Sequence, residues 1–92
     1  MIEPSTKFRK SARQVSCRID DEVAILDVER SLYFGLQGTA VEIWDALDQP
    51  CSLAELCDRL VATFDVPRPQ CEADTKQLLS ELQEQGLVEI AA

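Results

Sequence analysis

Apolar and polar positions alternate from Gln14 onward: Val15, Cys17 and Ile19 are apolar, while Ser16, Arg18 and Asp20 are polar. A period of two predicts a half-buried strand with that apolar set turned inward. The polar turn Asp20-Asp21-Glu22 leads to a second β-rich run, EVAILDV, and Glu29-Arg30-Ser31 leads to a third, LYFGL. Three short runs joined by short polar turns predict an antiparallel meander. After Gly38 the period becomes helical, with Ala40, Ile43, Trp44 and Leu47 on one stripe before Pro50. Thr39 and Glu42 have capping-box spacing at its start, and Ser52 and Glu55 repeat it before Leu53, Leu56, Cys57, Leu60, Val61 and Phe64. Two prolines in DVPRPQ forbid a regular helix there, and Pro69 suits the first turn of a third helix. Its inner face is Cys71, Thr75, Leu78, Leu79 and Leu82, and Gly86 stops it in left-handed geometry. Leu87, Val88 and Ile90 form an apolar tail that packs back on the core. The expected fold is therefore one α+β domain over residues 14–92, a three-stranded meander followed by three helices. Residues 1–13 are polar and basic without periodicity, and are expected to be a flexible lead-in.

Composition narrows the function. Ninety-two residues with 46% hydrophobic and 28% charged side chains suit a single globular domain. No run approaches the ~18 apolar residues of a membrane span, and the N-terminus lacks a secretory apolar stretch. The expectation is a cytoplasmic protein with no membrane association. The net charge of -8 is uneven. Residues 1–20 carry five basic and two acidic side chains, and residues 21–92 four basic and fifteen acidic. So acidic a body repels phosphate backbones, which excludes nucleic acid as the expected partner. The basic start either is a solvated tail or meets an acidic partner.

Candidate chemistry is sparse. There is no histidine, no phosphate-cradling glycine loop, and no close cysteine pair of the kind zinc sites use. At least three of Cys17, Cys51, Cys57 and Cys71 are expected to act as small core or near-core hydrophobes, with the exposure of Cys51 left open. No catalytic residue, cofactor or metal is expected, and binding remains. The strand LYFGL is the most informative stretch, because an edge strand can pair with an incoming extended peptide. Leu32, Phe34 and Leu36 share one side, filling the core or lining a groove; Tyr33 and Gly35 face the other way, toward solvent or ligand. Helix three, its apolar face flanked by Asp74, Lys76, Gln77 and Glu81, is the candidate second wall.

These residues carry a family resemblance. The run LYFGLQGTAVEIWDAL, a second helix ending in Phe64-Asp65-Val66, and the third-helix pattern of Asp74, Leu78, Leu79, Leu82, Gly86 and Leu87 resemble the PqqD-like family over about residues 14–90. These are recognition elements for ribosomally made, post-translationally modified peptides, and this chain is most similar to the discrete type of lasso-peptide clusters. The resemblance implies a winged-helix-like fold without activity of its own. It implies that a precursor's leader peptide adds as a strand beside the third strand and lies on the third helix. Carried over, that places binding on Leu32, Tyr33, Phe34, Gly35 and Leu36, and on Asp74, Thr75, Leu78 and Leu82. Thr75 stands where an aliphatic residue is more usual. The implied partners are the leader peptide and a leader protease or other peptide-modifying enzyme. Two other readings compete: a winged-helix DNA-binding regulator, and a structural subunit that self-associates through its edge strand. The third helix opposes the first, with four acids and one lysine between Glu72 and Glu84.

Overall fold

Two-residue and four-residue turns fold the centre of the chain into the expected meander. The computed structural model describes residues 2–91. Its strands are β1 (Lys7–Lys10), β2 (Gln14–Ile19), β3 (Glu22–Asp27), β4 (Leu32–Leu36), β5 (Cys51–Ser52) and β6 (Val88–Ile90); its helices are α1 (Thr39–Ala46), α2 (Leu53–Thr63) and α3 (Arg68–Glu84). One antiparallel sheet has the order β2-β3-β4, the other β5-β1-β6. Asp20 opens the β2–β3 turn at φ 56°, a left-handed conformation that Asp tolerates better than most residues.

The α+β class and the order of meander and helices follow the sequence expectation; three strands are additional. Residues 7–10, expected as part of a flexible lead-in, form the middle strand of the second sheet. Phe8 is wholly buried, opposite Cys51 on one side and Ile90 on the other. A four-residue strand with one inward apolar side chain has no period to display, so KFRK looked structureless. Ser11 N–H donates to the Leu87 carbonyl at 2.9 Å, and Ala91 N–H to the Lys7 carbonyl at 2.8 Å. The basic start is held to the acidic body: Lys7, Arg9, Lys10, Arg13 and Arg18 pair with Glu55, Glu89, Asp48, Glu29 and Asp45. Lys10 also lies over the Trp44 ring, 4.7 Å from its centroid.

A second correction concerns β2. Val15 and Ile19 are 58% and 56% exposed, and Cys17 is exposed too. In register, Val15 opposes Leu26 and Leu26 opposes Tyr33, so these form a row on the outer face of the sheet. The inner side of β3 and β4 packs on the helices through Val23, Ile25 and Leu36. β2 is the far edge, beyond that contact, and buries neither side. Its alternation is real but has no core to face.

The helices pack where their stripes direct. Ile43, Trp44 and Leu47 meet Leu56, Cys57 and Leu60 of α2 and Leu79 and Leu82 of α3 in one core. Ser52 and Glu55 form the expected capping box, with reciprocal bonds of 3.1 and 3.0 Å. Thr39 does not form the other one: Gly38 is the N-cap at φ 61°, without a side-chain bond, and Glu42 instead accepts from Arg59 at 2.9 Å. Gly86, at φ 74°, ends α3 with Gly86 N–H to Gln83 O and Leu87 N–H to Leu82 O, so two of its last carbonyls are satisfied.

Candidate functional site

β4 pairs with β3 on one side only, so its other edge presents backbone N–H and C=O groups without strand partners. Two cavities lie along α3, sharing Leu78 as a common wall, and one of them adjoins β4. One, of about 270 Å³, lies between Phe34, Gly35 and Leu36 of β4 and Leu78, Glu81 and Leu82 of α3. The other, of about 210 Å³, lies between the N-terminus of α1 and the first half of α3, with Ile43, Leu60 and Val66 as its apolar floor and Asp74 and Thr75 on its α3 side.

Seven of the nine expected residues line one or other cavity: Phe34, Gly35, Leu36 and Leu82 the one between β4 and α3, Asp74 and Thr75 the one between the helices, and Leu78 both. Leu32 and Tyr33 line neither cavity. Leu32 begins β4 opposite Asp27 and is 40% exposed. Tyr33 is 68% exposed on the outer face and leans over Gly35. The choice between core and groove resolves residue by residue: Leu36 is buried, Phe34 half-buried and Leu32 exposed. Thr75 is buried, its Oγ1 3.9 Å from Cys71 Sγ, so the polar departure at this position faces a thiol.

Sequence reasoning did not find Val66, Ile43 and Leu60 as cavity floor, since a stripe shows that a residue faces inward but not that a gap adjoins it. It also left out Glu84. Lys76, expected on the same rim as Asp74 and Glu81, lies on a different side of α3, beside Ile2, Pro4 and Leu53.

The turn that starts β4 is held by charge. Asp27 is almost wholly buried and accepts from the Glu29 and Arg30 backbone N–H groups at 3.1 and 3.2 Å and from Arg30 Nε at 2.8 Å. The Arg30 guanidinium holds this carboxyl below its ordinary range, against the opposing effect of burial. Arg30 also donates to the Gln85 carbonyl, and Arg13 to that of Gly86 at 3.4 Å. Two cations on the negative end of α3 tie the β3–β4 turn to that helix.

Three of the four thiols are shielded from solvent in whole or part, and Cys17 is exposed on β2. Cys57 and Cys71 are buried in the core, and burial, together with the neighbouring Cys71 thiol, pushes the Cys57 thiol up to about 11. Burial, then the nearby Glu55 charge, also raises the half-buried Cys51. Among the described residues no cluster of three or more metal-ligating side chains occurs, and no helix is long and apolar enough to cross a membrane.

The fold defines a class: an α+β domain in which a meander stands beside a helical layer with its β4 edge unpaired. This chain belongs to the PqqD family, whose model, described as coenzyme PQQ synthesis protein D, matches residues 22–88. It is similar to a solved structure of TbiB1 in complex with the TbiA(beta) leader peptide, at 34% identity and a TM-score of 0.84, covering 91% of this chain and 98% of that one. It is also similar to lasso peptide synthetase B1 complexed with the leader peptide, at 27% identity and a TM-score of 0.80, covering 89% and 96%. No curated protein matches the chain significantly.

Proposed function

We propose that this protein captures the leader segment of a ribosomally made precursor peptide and presents it to a leader protease or other modifying enzyme, without chemistry of its own. The observation that carries the reading is the free edge of β4 beside an apolar groove on α3, in a chain that matches two leader-bound structures over nearly its whole length. The leader adds to β4 as a fourth strand of the meander sheet. Main-chain hydrogen bonds supply affinity, and alternate side chains enter the cavities on either side of Leu78 and set the register. Presentation needs no new contact with the substrate's core, because a bound leader raises the local concentration of precursor at the enzyme. The DNA-binding alternative requires a basic reading helix, and α3 carries exposed acids instead.

The test is titration of the labelled amide spectrum with synthetic TbiA(beta) leader peptide, on the wild type and on Leu78→Lys. Saturable shifts confined to residues 31–36 and 74–82 are expected. Leu78 is only half-buried, so a lysine there is expected to weaken binding at least about tenfold while leaving the fold intact. Saturating leader that leaves those amides in place defeats the reading.

A further inference from the structure

We infer that the groove selects leader segments that carry Lys or Arg beside the apolar anchor residue; this rests on the reading that β4 and α3 receive an extended peptide. Asp74, Leu78, Glu81 and Gln85 follow one another at spacings of four, three and four, so they form a single stripe along α3. All four line the two cavities, and Glu84 joins them at the lower one. The stripe thus reads acid, leucine, acid, amide along an otherwise apolar groove.

The charge on that stripe is uncompensated. Among the described residues every lysine and arginine except Lys76 is in an ion pair, yet none of those pairs involves Asp74, Glu81 or Glu84. Glu81 takes an amide hydrogen bond from Gln77 at 3.3 Å. Among the described residues no cation lines either cavity, and Lys76 lies on a different side of α3. The guanidinium groups at the end of α3, those of Arg13 and Arg30, are engaged with Glu29, Asp27 and the carbonyls of Gln85 and Gly86. An incoming peptide therefore meets three exposed carboxylates flanking the apolar position at Leu78. Asp74 and Glu81 lie about 10 Å apart along the helix at ~1.5 Å per residue. An extended peptide covers that in about three residues at ~3.3 Å each. Basic side chains two to four positions apart, astride one apolar residue, match it.

The test is selection from a displayed library of random 14-residue peptides on three full-length proteins: wild type, the amide variant D74N/E81Q/E84Q and the reversed variant D74K/E81K/E84K. All three acids are exposed and free of ion pairs, so the amide variant is expected to melt as the wild type does by circular dichroism. Peptides selected by the wild type are expected to be rich in Lys and Arg, the amide variant to lose that bias, and the reversed variant to favour Asp and Glu. A wild-type peptide is expected to bind the amide variant roughly tenfold more weakly in low salt, and the gap to close at high salt. Peptides that shift the β4 amides but show no basic bias, or bind wild type and amide variant equally, overturn this inference and leave the groove standing. If no selected peptide perturbs β4 and α3, both the inference and the groove fall.

Discussion

At Asp27 one side chain determines where the candidate strand begins. Its carboxylate gathers two backbone N–H groups and the Arg30 guanidinium while almost wholly buried, and Arg30 passes the restraint on to the end of α3. A carboxylate whose folded pKa lies below the unfolded value near ~3.9 binds its proton less readily when folded. The stability it contributes is therefore fully present above about pH 5 and is lost as pH falls through the folded value. Asp27→Asn keeps the shape and removes the charge. Its urea midpoint is expected to lie below the wild type's at pH 7, and the gap to shrink steadily below about pH 4. A gap of the same size at pH 2.5 as at pH 7 would mean that the ion pair contributes nothing.

Among the elements, β1 shows what periodicity can and cannot reveal. Phe8→Ala is expected to cost roughly 3–5 kcal/mol in urea unfolding, because it empties a fully buried site. Lys7→Ala, one residue away and exposed, is expected to stay within about 0.5 kcal/mol. A loose lead-in would leave both unchanged. The helices were legible because each repeats its inward position several times, as Leu53, Leu56, Cys57 and Leu60 do in α2, and the meander strands because polar turns separate their β-rich runs. β1, β5 and β6 each bury one side chain within the strand, and no pattern forms from one. The facing of β2 was not legible for a different reason: alternation names two faces, and only the extent of the helical layer decides whether either is covered. Likewise the spacing of Thr39 and Glu42 fits a cap, but Gly38 turns the chain so that Thr39 is already inside the helix. Of the groove, the β4 and α3 walls could be read, whereas Val66 arrives from a loop whose path depends on how α2 and α3 pack.

For the molecule as a whole, the cysteines report cooperativity. Cys17 is exposed on the outer sheet face, Cys51 is half-buried, and Cys57 and Cys71 are in the core between α2 and α3. A thiol reagent is expected to label Cys17 rapidly and Cys51 slowly. Cys57 and Cys71 are expected to react together, at the rate of global unfolding. Labelling of Cys71 ahead of Cys57 would show instead that α3 opens by itself, and with it one wall of the groove.

The pairing of Phe8 with Ile90 has a consequence for synthesis. Phe8 of β1 is made 82 residues before Ile90, its neighbour in β6. At roughly 5–20 residues per second, the ribosome leaves that side of Phe8 without its neighbour for several seconds while the intervening chain emerges. The meander, whose partners are close in sequence, can close in that interval, and loop closure over short separations is fast. The β4 edge is thus formed before the sheet that joins β1 to β6, and the nascent protein passes through a stage in which the β4 edge, which stays open, and the β1 edge, which will be covered by β6, are exposed at once.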